Sequence, residues 1–412
     1  MVLTKLKNSI AHKTPADILV LALVVVFPVY NKLMPVLMVL LALSIFWQRR
    51  EKAQISTFLS GHSTELWFIM FYVIHIVGLL YTENWSYAVK DLTMKLSFVI
   101  LPLVLFYANV TVNRAAILRA FLIGLAVSCG VAFIYAMYKS LINREDNHWA
   151  YFTESYFSYS MHRSYFATYL AAGAFIALRQ FFERRDTFSL SFFLLLTLST
   201  ILTFSKAGIL LLVLFVALLM FYELSKRVSR KAGVLAFTVV LLMFLAIVFS
   251  VPTLRMRFEK MITASTSVQT TNNESSESSS ARVIMWATSW KLVLESPWVG
   301  VGTGDVSDAL DHKNRELRNT GVAGKSLNSH NQFLNTAVQL GLIGLIPLFM
   351  IFLTSVRKAV QQSDVNFLMI AVLLGSTMLF ESFLETQAGI IPVTLLLLLF
   401  RQTSVPKENT SN

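Results

Sequence analysis

Only one cysteine, Cys129, stands in 412 residues, and it lies inside an apolar run. That excludes an intramolecular disulfide and any cysteine-based metal site. Charge is scarce as well. Asp, Glu, Lys and Arg make up 14% of the chain, against about 25% in an ordinary soluble domain. With 55% of residues hydrophobic, the shortage of charge points to a chain that enters a bilayer many times. No HExxH sequence occurs, and His148, His162 and His330 share no ligand spacing, so neither a metal nor another cofactor is expected. The stretch "GVGTGD" lacks the Lys-Ser/Thr and the strand–loop–helix setting of a phosphate loop, and reads as a tight glycine turn. The N-terminus is basic and then apolar, without a small-residue cleavage site, and is expected to be the first retained helix.

What is present is a series of apolar runs. They lie near 16–31, 33–48, 65–81, 92–108, 115–139, 163–181, 187–205, 207–225, 232–251, 331–355, 364–382 and 387–401. The pattern predicts an all-α polytopic integral membrane protein with about twelve transmembrane helices, at about 20 apolar residues per span. Residues 1–251 would hold the first nine, 252–330 a long loop, and 331–412 the last three and a cytoplasmic tail. The net charge of +12 sits mostly in short clusters between runs, as the positive-inside rule requires, and not in a patch for nucleic acid. "QRREKAQ", "NVTVNRAA", "RQFFERRD", "ELSKRVSRK" and "SVRKAVQQSD" alternate with loops poor in Lys and Arg, such as "YTENWSYAVKD" and "LETQAG". Both termini are then expected in the cytoplasm.

The long outer loop starts with "TLRMRFEKM" and runs through the low-complexity "ASTSVQTTNNESSESSS", expected to be a mobile strand of chain. In "RVIMWATSWKLVLE", Val283, Trp286, Trp290 and Val293 recur at helical spacing. They predict an amphipathic helix lying on the membrane interface with its tryptophans down. A second outer loop, 140–162, is rich in Tyr and Phe and is expected to serve as an interfacial belt or a sugar-stacking platform.

Four basic or titratable residues stand where the topology rule disfavours cations. Arg163 opens the sixth span, Lys206 sits between two spans with almost no loop, Arg282 opens the tryptophan helix, and His330 opens the tenth span. An unpaired charge at such a depth is costly. Convergent cations suit a diphosphate, and arginine offers a planar fork for its oxygens. If that diphosphate carries a glycan it is a good leaving group, and His330 is suited to remove a proton from an acceptor hydroxyl. Glu381 and Glu385, four apart, are expected to share a helix face near the outer end of the eleventh span. There they would position the base, pair with Arg163 or Lys206, or bind acceptor sugar.

The segment "SSSARVIMWATSWKLVLESPWVGVGTGD", followed by "SHNQFLNTAVQLGLIGLIPLF", resembles the shared domain of the O-antigen ligase and O-antigen polymerase superfamily. The matching positions are Arg282, Trp286, Pro297, Gly300, Gly302, His330, Asn331, Leu334, Gly341, Leu342 and Gly344. "HRSYFATYL" and "TFSKAGILLL" resemble family segments too, so the likeness spans roughly residues 160–390. The resemblance implies a metal-independent glycosyltransferase of the bacterial inner membrane, acting in lipopolysaccharide or other polysaccharide biosynthesis. Its donor would be a glycan on undecaprenyl diphosphate, its acceptor a lipid or glycan, and its long loop periplasmic. His330 would be the base, with Arg163, Arg282 and Lys206 on the diphosphate and Glu381, Glu385 and Asn331 in support. The family pattern has Ser-Arg where this chain has Ser205-Lys206, and lysine keeps the charge but loses the bidentate fork. A ligase is the first expectation, a polymerase the second. A transporter would need broken helices in matched halves and mid-membrane charges, and a scaffold would tolerate loss of His330.

Overall fold

The structure, a computed structural model, describes residues 14–46, 63–108, 110–143, 148–250 and 278–402, with isolated positions 252, 255, 256 and 259. The "QRREKAQ" loop, nearly all of the serine-rich run and the C-terminal tail lie outside the described residues. Helices account for most of what is described, and no strand occurs there. In chain order they are α1 (Pro15–Val29), α2 (Met34–Phe46), α3 (Thr64–Val77), α4 (Trp85–Lys95), α5 (Ser97–Tyr107), α6 (Arg114–Ile142), α7 (Glu154–Phe157) and α8 (Arg163–Arg184). There follow α9 (Thr187–Leu202), α10 (Lys206–Arg227), α11 (Arg230–Ser250), α12 (Ser278–Glu295), α13 (Val306–Glu316), α14 (Gln332–Gln361), α15 (Val365–Thr377) and α16 (Gln387–Gln402).

Each apolar run singled out from the sequence contains a helix among the described residues, the 92–108 run being divided between the end of α4 and α5. Five segments are both long and apolar enough to cross a bilayer: Thr64–Tyr81, Arg114–Ile142, Lys206–Arg227, Arg230–Ser250 and Gln332–Gln361. The protein is thus an all-α polytopic membrane protein. Helix α13 lies in the long loop, where short helices are expected, whereas α4 covers much of "YTENWSYAVKD", a segment that reads as a short loop because it is polar.

Two helices form the inside of the bundle. In α8 every residue from Ser164 to Leu178 is buried, and in α16 every residue from Ala388 to Phe400. A helix apolar all round belongs in such a position. Small residues let neighbours approach α8 closely, as membrane helices require. A Cβ on Gly173 would meet Leu125 at 2.3 Å, and one on Gly208 would meet Ala167 at 2.3 Å. At the end of the bundle where α3 and α6 begin, charges pair instead of facing apolar surroundings alone. Arg114 bonds Asp364 and the Phe400 carbonyl, and Arg401 Nε lies 3.0 Å from Glu65 Oε2.

The opposite end is organised by a break in α14. Gly341 has φ +63° and ψ −162°, a conformation essentially reserved for glycine. The break frees backbone groups, and the turn after α12 takes them up. Val301 N–H donates to Val338 O at 2.8 Å and Gly302 N–H to Gln339 O at 3.0 Å, while Leu342 N–H donates to Pro297 O at 2.8 Å. Unsatisfied backbone is not tolerated where water is excluded, so the Pro297–Gly302 turn and the Gly341 break complete each other. Gly300, at φ +71°, lies so close to α14 that a Cβ would meet Val338 O at 2.5 Å.

Helix α12 forms where expected. Ala281, Ile284, Met285, Thr288, Ser289, Leu292 and Val293 point inward, whereas Trp290 is 56% exposed. Two small polar residues hold that seam: Thr288 Oγ1 donates to Asn314 Oδ1 at 2.8 Å and Ser289 Oγ to Ser329 Oγ at 2.8 Å.

Candidate functional site

The site gathers at the start of α14. His330 directly precedes the helix cap and has φ +46°, an uncommon conformation for a side-chain-bearing residue. The local bonds explain how it is held. Its N–H donates to Asn328 Oδ1 at 2.9 Å. Ser329, one residue earlier, is tied to α12 through Ser289 and to α14 through Asn335 Oδ1 at 3.3 Å. Asn331 is the N-cap of α14: its Oδ1 accepts the Leu334 N–H at 3.1 Å. That bond uses one of the two lone pairs of the Asn331 oxygen.

Glu381 is the residue on which the others converge. It is 4% exposed and lies in the connection between α15 and α16, beyond the last helical turn at Thr377. Its Oε2 lies 3.4 Å from His330 Nδ1. Its Oε1 accepts from Arg282 Nη2 and, at 2.9 Å, from Ser164 Oγ. Burial works against its ionisation. The hydrogen bond to His330 and the charges of Arg282 and His162 outweigh burial and hold its carboxyl down at about 2. Glu381 is therefore a carboxylate at neutral pH.

Arg163 is the first residue of α8, and its Nη1 lies 3.1 Å from Glu154 Oε2. The preceding His162 caps the same helix, its Nδ1 accepting the Ser164 N–H at 3.4 Å. Its imidazole is held below the ordinary histidine range by partial desolvation and by the cations Arg163 and Arg282, with Glu381 pulling the other way. On α12, Arg282 Nε and Trp286 Nε1 are buried donors without a hydrogen-bond partner among the described residues. They are four apart and so share a face. Lys206 opens α10 beside the first turns of α8, as the Gly208–Ala167 contact requires.

The structure thus brings Arg163, Arg282, His330 and Glu381 to one place, with Lys206 at a neighbouring helix start. Glu385 is separate. It does not share a helix face with Glu381, because the chain leaves the helix at Thr377 and re-forms only a single 3-10 turn at Phe383–Glu385. It pairs instead with Lys95, at 3.0 Å. Sequence reasoning missed His162, Ser164 and Glu154. The motif "ESYFSYSMHRSY" holds all three, but nothing in its spacing shows that the α8 N-terminus faces Glu381.

Fold and site together define a polytopic membrane protein that presents a carboxylate-paired histidine among arginines at one end of its helices. Residues 191–349 match the family model described as O-antigen ligase. The match bears out the resemblance to the O-antigen ligase and polymerase superfamily and supports an activity of that general type. It spans Lys206, Arg282, the Pro297–Gly302 turn, His330 and Gly341, while Arg163 and Glu381 lie outside it. No curated protein matches the chain.

Proposed function

We propose that the protein is a ligase that moves a glycan from undecaprenyl diphosphate to a lipid-core or other surface acceptor, at the periplasmic face of the bacterial inner membrane. The observation that carries this reading is the contact of His330 with Glu381, beside Arg282 and next to the α8 start that bears Arg163. With Nδ1–H donating to Glu381, Nε2 holds the lone pair and faces the acceptor. The acceptor O–H bond breaks and its proton passes to Nε2. The freed oxygen bonds to the anomeric carbon. The bond from that carbon to the diphosphate oxygen breaks, and its electron pair stays on the diphosphate. Glu381 stabilises the imidazolium so formed, as the buried carboxylate of a hydrolase triad does.

Arg163, Arg282 and Lys206 would offset charge developing on the leaving diphosphate. Each guanidinium carries five N–H donors in a fixed fork, so one bond to Glu154 or Glu381 leaves others for phosphate oxygens. The unpartnered Nε of Arg282 supports this use. In this reading the positive charge at the leaving group is side-chain charge and no metal takes a step. Turnover unaffected by a chelator is the expected result, and chelator-sensitive turnover restored by a divalent cation would contradict it.

The test of the reaction is a glycan profile of a deletion strain that separates carrier-linked from surface-attached material. Full-length polymer stranded on the carrier lipid is expected. Surface material capped with single repeat units would instead make the protein a polymerase using the same donor. An unchanged profile in a strain lacking a second such enzyme would overturn both.

A further inference from the structure

Gln332, the first residue of α14, is fully buried, and its hydrogen bonds run largely to one target. Its N–H donates to Met378 O at 2.8 Å. Its Oε1 accepts the Leu384 N–H at 2.6 Å. Its Nε2 donates to Glu385 Oε1 at 3.0 Å and to Thr336 Oγ1 at 3.2 Å. Three of these bonds grip the connection between α15 and α16 on either side of Glu381. His330 stands two positions earlier in the chain. A single residue therefore ties the segment carrying the imidazole to the segment carrying its carboxylate partner.

The far side of the grip is anchored too. Glu385 Oε2 lies 3.0 Å from Lys95 Nζ, and Lys95 holds both oxygens of Asp91 at 2.7 Å. Asp91 Oδ2 accepts from Gln339 Nε2 at 3.0 Å. Gln339 lies two helical turns along α14 from Gln332, on the same face. The network thus leaves α14, crosses the connection and α4, and returns to α14. Lys95 and Asp91 are 0% and 1% exposed, so water does not compete with these bonds, and a closed buried network of this kind fixes geometry.

We propose that Gln332 is a positioning residue that sets the separation of Glu381 from His330, with Lys95 anchoring Glu385 behind it. The kinetic part of the test rests on the glycosyl-transfer reading. Misplacing a catalytic pair by about 1 Å costs on the order of a hundredfold in rate.

The experiment compares Gln332→Met, Glu381→Gln and the double variant in purified, detergent-solubilised protein. In a transfer assay with lipid-linked glycan, Gln332→Met is expected to lower kcat on the order of a hundredfold with KM for the donor unchanged. The double variant is expected to be no slower than Glu381→Gln alone, because both changes remove the same contact. Fully additive losses would overturn the proposal. If Gln332→Met does not reach the membrane at the wild-type level, Glu385→Gln replaces it. That change keeps an acceptor for Gln332 but ends the ion pair with Lys95, and the same non-additivity is expected. A second readout needs no turnover: the rate at which diethyl pyrocarbonate modifies His330, resolved by mass spectrometry. It is expected to rise in Gln332→Met to the rate in Glu381→Gln, and an unchanged rate would overturn the positioning role. Wild-type protein that transfers no glycan would defeat the functional reading, while the modification rates would still decide the role of Gln332.

Discussion

His330 Nδ1 and Glu381 Oε2 stand 3.4 Å apart, across 51 positions of sequence. Because Glu381 also takes Arg282 and Ser164, one carboxylate joins the proposed base, a candidate phosphate-binding arginine and the start of α8. Glu381→Gln keeps the shape but removes the charge that stabilises the imidazolium. Transfer is expected to fall about a hundredfold, within the usual share of general-base catalysis, while the protein still reaches the membrane. Transfer in membranes from a deletion strain checks this, and a loss under about twofold would remove Glu381 from the mechanism.

Arg282 is tied to Glu381 and keeps a buried Nε donor. Arg282→Lys preserves charge but not the fork. A charge-assisted hydrogen bond is worth about 1.5–3 kcal/mol, so transfer should fall roughly tenfold to a hundredfold. Lys291→Arg, an exposed change on the same helix, should leave it unaltered. Equal small effects would reduce Arg282 to a helix-end charge.

Acid should weaken the site in a defined window. The Glu381 carboxyl is held at about 2, against an ordinary 4.5. A depressed carboxyl stabilises the fold fully above the unfolded value, and the contribution is lost as pH falls through the folded one. The thermal midpoint of the wild type should therefore exceed that of Glu381→Gln by a constant margin above about pH 4.5. The margin should shrink as pH drops toward 2. A margin that stays constant to pH 3 would contradict the pairing.

Gly341→Ala tests the dock between the loop and α14. A Cβ there would lie 2.2 Å from the Trp298 carbonyl atoms, on a backbone that costs a non-glycine residue about 1–3 kcal/mol by itself. Limited proteolysis within 296–330 should become faster and the thermal midpoint should fall. Unchanged cleavage would mean that the turn does not depend on the break.

The helices were legible because apolar runs of this length have few other uses. Single basic or titratable residues at positions disfavoured by the expected topology singled out Arg163, Arg282 and His330, which the structure brings together. The part of α12 that packs on the protein, centred on Thr288 and Ser289, was not legible. Hydrophobic periodicity assumes that water lies outside, but beside a bilayer the outside is apolar too. Trp290 can then face outward while Thr288 and Ser289 hold the seam by hydrogen bonds. The fate of Glu385 was hidden for a related reason. Four-residue spacing implies one face only while the helix continues, and here Gln332 supplies bonds that let the chain leave it. Nothing in "YAVKDLTMKL" marks Lys95 as the buried partner, since an i, i+4 Asp–Lys pair is equally common on a wet surface.

The most direct measurement is glycan transfer by His330→Ala in a deletion strain, normalised to the amount of protein in the membrane. Transfer abolished at an unchanged protein level is the predicted result. Near-normal transfer at that level would contradict His330 as the base, and with it the mechanism proposed for this site.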